Sequence, residues 1–278
     1  MEKMGTMEKL DAEKNLGFKF NHLPCPGKII VDVKNLSFSY ANNPEKNIFS
    51  ELSFSIGKKD RIGIIGANGK GKSTLLNCLA GELTPHTGNI SKHPIASLGH
   101  FGQTNIDRLE PNNKVLDEIL LANSNLSLQA AHSICGAMMF EGDLSRKKVR
   151  VLSGGERSRV LLGKLISRPT NLLLLDEPSH HLDVESIEIL IEELNDYEGA
   201  LVIVTHSELI LKTLTRNLII FHRNRAEYFH GGYEDFLEKV GWDGEPVTEK
   251  RVKTKKLNKK EARKLRALER QKAQGRGE

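Results

Sequence analysis

Two runs near the start of the chain, Ile29 to Tyr40 and Ile48 to Ile56, alternate β-branched or aromatic residues with polar ones. A period of two predicts antiparallel strands covered on one face, joined through the turn chemistry of ANNPEKN. Three later runs behave differently. RIGIIG (Arg61 to Gly66), LLLLDEP (Leu172 to Pro178) and ALVIVTH (Ala200 to His206) are built on continuous apolar stretches, the mark of strands buried on both faces, and each leads into a helical segment. That order predicts a parallel α/β sheet. The helix after RIGIIG, STLLNCLAG, stops at Gly81. Between Gln103 and Ser153, runs such as VLDEILLAN and LQAAHSICGAMMF are interrupted by polar turns, which predicts an inserted helical subdomain over about residues 104–160.

The two ends of the chain read differently from its body. Met4, Met7 and Leu10 stand at helical spacing among charges, and LPCPG then breaks the pattern. Residues 1–27 are therefore expected to be a helix remnant and a connector, and the folded body to run from about Lys28 to residue 238. Residues 239–278 are expected to form a basic tail, helical or disordered. Within it, residues 246–278 hold 13 Lys/Arg against 4 Asp/Glu; this stretch carries +9 and the rest of the chain −4, although the whole is only +5. Such a run suits a phosphate backbone, which it binds by releasing counterions, and equally describes a solvated charged helix. Cys25, Cys78 and Cys135 are far apart and lack metal-ligand spacing, so they are read as ordinary thiols. No apolar run reaches membrane length and the first residues carry no secretion signal, so the cytoplasm is the expected location.

The strongest chemical signal is GANGKGKS, Gly66 to Ser73, set between a strand and a helix. Glycines allow the backbone amides of such a loop to converge, and the helix N-terminus adds partial positive charge, which makes a phosphate cradle. Gly66, Ala67, Asn68, Gly69, Lys70, Gly71, Lys72, Ser73 and Thr74 are its expected contacts. Lys72 would reach the β- and γ-phosphates of ATP, and the Ser73 hydroxyl would ligate Mg²⁺. Asp176 stands at the carboxyl end of a buried strand, where open α/β sheets place ligands, and is the expected holder of the Mg²⁺ site. Glu177 beside it would polarise an attacking water as general base. The expected fold is an α/β P-loop NTPase core with a mainly parallel sheet, an antiparallel β subdomain and an inserted helical subdomain.

LSGGERSR (Leu152 to Arg159) resembles the signature of the ATP-binding cassette (ABC) superfamily. Taken singly, Tyr40 is a strand-edge residue, Gln103 a loop amide and His206 a surface imidazole. In the family's order along the chain they fall into a series: Tyr40, the phosphate loop, Gln103, the signature, Asp176 and Glu177, SHHLD (Ser179 to Asp183), and His206. The resemblance implies that Tyr40 stacks on adenine, that Gln103 senses Mg²⁺ and the attacking water, and that His206 contacts the γ-phosphate. It also implies that Ser153, Gly154, Gly155 and Glu156 serve the nucleotide of an opposite cassette. With one phosphate loop and one signature, the chain is expected to pair with itself or with a separate cassette. SHHLD departs from the family at Ser179 and His180, where Thr and Asn are more common, and neither residue receives a catalytic role.

Within the superfamily the chain is similar to the second cassette of the ABC-F branch, soluble two-cassette proteins that act on ribosomes. The stretches that carry this are KNLGFKFNHLPCPGK, LSGGERSRVLLGKL, NLLLLDEPSHHLDVESIEILIEEL and GGYEDFLEKVGW. The resemblance implies that residues 1–20 are the final turns of an interdomain linker, that the chain is a half-length gene, one of a split pair or a fragment, and that the basic tail approaches ribosomal RNA. Two other readings share every catalytic residue: the ATPase subunit of a membrane transporter, docked on a separate membrane subunit, and a DNA-associated ATPase.

Overall fold

The computed structural model describes residues 19–40, 47–180, 182, 184–222 and 225–242, with Gln103 and Glu185 described by their backbones. The expected linker turns, most of ANNPEKN, His181 and Asp183 of SHHLD, and the basic run 246–278 lie outside the described residues. Described residues up to His230 form one compact unit, and those from Gly231 belong to a second.

The first unit opens with β1 (Ile29–Phe38), β2 (Phe49–Gly57) and β3 (Arg61–Gly66), followed by α1 (Lys72–Ala80), β4 (Thr87–Lys92) and β5 (Leu98–Phe101). The helical insert holds α2 (Gln103–Ile106), α3 (Val115–Ala122) and α4 (Leu128–Ala137), and two short 3-10 turns lead from it into α5 (Gly154–Ser167). Then come β6 (Leu172–Asp176), α6 (Val184–Asp196), β7 (Ala200–Val204), α7 (Glu208–Leu214), β8 (Asn217–His222) and β9 (Arg225–Phe229). The second unit contains α8 (Tyr233–Lys239), where Phe236 meets Trp242 edge to face at 5.2 Å between ring centroids.

The expected antiparallel subdomain is a three-stranded sheet in the order β2-β1-β4, pairing Val33 with Phe54 and with Ile90. The main sheet runs β5-β6-β7-β3-β8-β9 and is parallel except for the β8–β9 pair at its edge. Two apolar cores flank this sheet, and β6 feeds both. Leu172 and Leu174 join a core with α1 and the antiparallel sheet, while Leu173 and Leu175 join a core with α3, α4, α5 and α6. All four are fully buried. Each such burial contributes about 1.5–3 kcal/mol, which is why the strand tolerates no polar position until Asp176. Gly99 lets α5 lie directly against β5, since a Cβ there would overlap Leu165.

The folded body begins before Lys28. Thr170 accepts from the Leu23 amide at 2.8 Å and donates to Asn21 O at 2.9 Å, and Phe20 is buried with its ring edge-on to Tyr197. The partners of this segment lie far along the chain, so its own residues do not announce the docking. All three cysteines are free and buried, and burial pushes the thiols of Cys78 and Cys135 up to about 12 and about 11. Both are inert at neutral pH.

The helical insert is held by a buried carboxylate. Glu118 on α3 is 2% exposed, forms an ion pair with Lys164 on α5, and accepts from Asn113 Nδ2 at 2.8 Å and the Glu110 amide at 3.2 Å. Buried charge is tolerated only when paired and hydrogen-bonded, and here both conditions hold. Asn171 performs a similar task for the main sheet. It is fully buried, its Oδ1 accepts from the Ser97 amide at 2.9 Å and its Nδ2 donates to Ile95 O at 2.8 Å, stitching the chain before β5 to the start of β6. Asn171→Ala strands both backbone groups and is expected to cost about 2–3 kcal/mol, read as a lowered urea midpoint at unchanged m-value.

Candidate active site

The phosphate loop follows β3 without a break. Gly66 has φ +149° and a Cβ there would stand 2.6 Å from Phe221 O, while Gly71 has φ +103° and a Cβ there would overlap Ile48. Only glycine satisfies both the dihedral and the contact at these two positions. Gly71 is the N-cap of α1, so the helix begins at Lys72 with its first amides directed back over the loop.

Lys72 is buried, and its Nζ donates to Gly66 O at 2.9 Å and Ala67 O at 3.1 Å and lies 3.4 Å from Asn68 Oδ1. Burial holds its ammonium below the ordinary lysine value, against the pull of Glu177 and Asp176. Asn68 Oδ1 is also 2.8 Å from His206 Nε2, so one side chain touches both the loop cation and the histidine after β7.

Asp176 pairs with Val204 of β7, and the Glu177 amide donates to Val204 O at 2.9 Å. Glu177 itself has φ +49°, an unusual left-handed conformation for a residue other than glycine. Ser73, Asp176, Glu177 and His180 line one cavity of about 200 Å³, together with Phe101, Ile106 and Ser158. His206 Nε2 is 3.5 Å from Glu177 Oε1 and His180 Nε2 is 3.6 Å from Oε2. His180, to which the sequence reading gives no catalytic role, is brought to Glu177 by the turn between them and not by any pattern of residues.

Tyr40 lies beside the loop, 69% exposed as a residue, with its ring edge-to-face to Phe38 and its hydroxyl sharing a hydrogen bond of 3.0 Å with Thr74 Oγ1. Gln103 opens α2 directly after Gly102, whose Cβ position would be 3.7 Å from Asp176 Cβ, so the backbone entering Gln103 runs beside Asp176. Ser153 to Glu156 start α5. Ser153 Oγ accepts from the Glu156 amide at 3.2 Å and Glu156 Oε2 accepts from the Ser153 amide at 2.8 Å, a reciprocal capping box. That backbone hydrogen bond leads the causes that hold Glu156 below the usual carboxylate range.

The profile of the ABC transporter family matches residues 49–180. Among individual relatives, the chain is 34% identical over 240 residues to YdiF of Bacillus subtilis, with 86% of this chain and 37% of that protein covered. It is 31% identical over 245 residues to the ABC transporter ATP-binding protein ARB1 of Saccharomyces cerevisiae, covering 86% and 40%. The chain belongs to the ATP-binding cassette family. It is also 31% identical over 241 residues to ABC transporter F family member 5 of Arabidopsis thaliana, covering 86% and 34%. It thus spans 34% to 40% of the length of these three relatives. Solved structures agree on the fold. A dimeric ATP-binding cassette in a post-hydrolysis state bound to ADP and Pi superposes with TM-score 0.61 at 20% identity over 71% of this chain and 96% of that one. A bacterial Atm1-family exporter with ATP bound gives TM-score 0.64 at 20% identity, covering 79% and 41%.

ATP-binding cassettes take ATP with Mg²⁺, and the residues present fit both. The converging loop amides and Lys72 suit phosphate. A serine hydroxyl and a carboxylate on one cavity wall are hard oxygen donors that suit Mg²⁺. Among the described residues no group of three His, Cys, Asp or Glu side chains is arranged to hold a metal ion.

The cassette's entry to Gln103 is braced by Glu82, which follows α1. Its carboxylate contacts His100 Nδ1 at 3.0 Å, Arg108 Nη1 at 3.0 Å and Thr104 Oγ1 at 3.2 Å, tying the end of the phosphate-loop helix to both sides of Gln103. Burial resists ionisation of Glu82, but His100, Arg108 and Thr104 together hold its carboxyl below the usual range. A depressed folded-state value stabilises the fold above the unfolded value, and the contribution is lost as pH falls through the folded one. Glu82→Gln should therefore lower the urea midpoint near pH 7, and the gap to the parent chain should close as pH drops below the ordinary carboxylate range.

Proposed function

We propose that this chain binds ATP with Mg²⁺ and hydrolyses it to ADP and phosphate. The observation that carries the reading is the single cavity on which Ser73, Asp176 and Glu177 converge beside the Lys72 loop. Lys72 and the amides of residues 66–74 hold the phosphates, and the exposed Tyr40 takes the adenine. Ser73, Asp176 and Gln103 would hold Mg²⁺, which neutralises phosphate charge as it develops. Glu177 receives the proton of the attacking water, and His206, joined to the loop through Asn68, contacts the γ-phosphate.

The site is completed by a second cassette, a copy of this chain or a separate one, whose Ser153 to Glu156 segment faces the γ-phosphate. ATP then holds the two halves together and hydrolysis releases them. No helix among the described residues is long and apolar enough to cross a membrane. Likeness to the F family relative, with the ABC-F resemblance of the sequence, favours a two-cassette assembly acting on ribosomes from the cytoplasm. The basic run 246–278 would contact RNA.

Equilibrium binding of a fluorescent ATP analogue and steady-state phosphate release test the chemistry together. Lys72→Ala should abolish binding. Glu177→Gln should keep binding and slow turnover by about a hundredfold or more, because it preserves shape and removes the base. Tight binding by the first variant or parental turnover by the second overturns the corresponding role. The target is tested by co-sedimenting Glu177→Gln with purified ribosomes. Pelleting should require ATP, weaken with salt, and lose much of its salt dependence when residues 246–278 are deleted. A supernatant-bound protein that still binds ATP removes the ribosome reading for this chain.

A further inference from the structure

Glu177 lies between two imidazoles: His206, for which the family resemblance implies a γ-phosphate contact, and His180, which stands within SHHLD where the family more commonly has asparagine. The second is built in by the backbone. Glu177 leaves β6 with φ +49° and its carbonyl accepts the His180 amide at 3.1 Å, closing a tight turn through Pro178 and Ser179. That turn folds the His180 ring back toward the carboxylate, placing Nε2 3.6 Å from Oε2. The same ring lines the cavity with Ser73 and Asp176, so it stands on the wall where the phosphate chemistry is proposed. The two oxygens of Glu177 are also unlike each other. Oε1 is buried with no hydrogen-bond partner among the described groups and has His206 Nε2 at 3.5 Å, whereas Oε2 faces His180.

We propose that His180 is a positioning residue for Glu177. The ring carries its proton on Nε2 and donates it in a hydrogen bond to Oε2. This fixes the rotation of the carboxylate and leaves Oε1 to accept the proton of the attacking water. A separation of 3.6 Å is longer than a hydrogen bond, and catalytic contacts of this length tighten when the reacting molecule is bound. The residue more common in the family at this place, asparagine, presents its amide nitrogen about where the imidazole has Nδ1. It cannot reach Oε2 from the same backbone. Glutamine can, because its amide nitrogen extends to the level of Nε2. The inference rests on Glu177 being the base.

The experiment compares His180→Ala, His180→Asn and His180→Gln with the parent chain and with Glu177→Gln. Turnover at saturating ATP and binding of the ATP analogue are both measured. His180→Ala and His180→Asn should lower kcat by roughly ten- to a hundredfold, the scale of a catalytic group displaced by about 1 Å. Analogue affinity should stay within about twofold, and His180→Gln should recover most of the turnover. Long-range nitrogen-15 spectra of the nucleotide-free parent decide the ring tautomer without turnover, and should show the proton of neutral His180 on Nε2. Parental kcat in His180→Ala beside an inactive Glu177→Gln overturns the proposal and leaves the base in place, as does a proton found on Nδ1. Full turnover in Glu177→Gln instead removes the base assignment and this inference with it.

Discussion

The site depends on the register of three buried strands. Ile64 of β3 pairs with Val204 of β7, and Val204 pairs with Asp176 of β6, so β6 and β7 end at the same height and β3 runs two residues further, to Gly66. Gly66, Glu177 and His206 are consequences of that register. The leucine run of β6 cannot set it, because a slip of one residue would exchange leucine for leucine on both faces. Polar contacts at the opposite end do. Asn171 fixes β6 against the chain before β5, and the Arg61 guanidinium at the start of β3 binds Gly199 O and Tyr197 O just before β7. Stitching at the amino ends thus determines the level of the carboxyl ends, where the chemistry is.

From there the parts of the site are joined by few side chains. Asn68 connects Lys72 to His206, so the phosphate loop and the end of β7 share one amide oxygen. Glu82 connects the far end of α1 to the segment around Gln103. The phosphate loop is thus tied by hydrogen bonds to His206 after β7, and the far end of its helix is tied to the start of the helical insert.

Much of this was legible in the sequence because it rests on local chemistry. RIGIIG, GANGKGKS and LLLLDE each carry their structure in their residues: buried strand, glycine-dependent loop, charged strand end. β4 was not legible. TGNISK has no buried position and acquires strand geometry only by pairing with β1. The docking of Phe20 on Tyr197 was hidden for a similar reason, since its partner lies far along the chain. The contact between His180 and Glu177 depends on one left-handed residue, and no periodicity announces a dihedral angle.

The signature shows how one set of residues meets a structural and a functional demand together. Ser153 and Glu156 cap α5 reciprocally, and a motif read for its nucleotide chemistry is first of all a helix start. The two uses are compatible in detail. Ser153 Oγ spends a lone pair on the Glu156 amide, and a hydroxyl still has its own proton to donate. The amides of Gly154 and Gly155 lie in the first turn, where a helix has no carbonyl to offer them. Capping orients these donors without consuming them, and the absence of a Cβ at both glycines leaves the approach open, with no heavy atom within 4 Å of the Cβ position at Gly154. An outward-facing cluster of this kind gains most from an anion presented by another molecule. That is the physical basis on which the proposed pairing of cassettes stands.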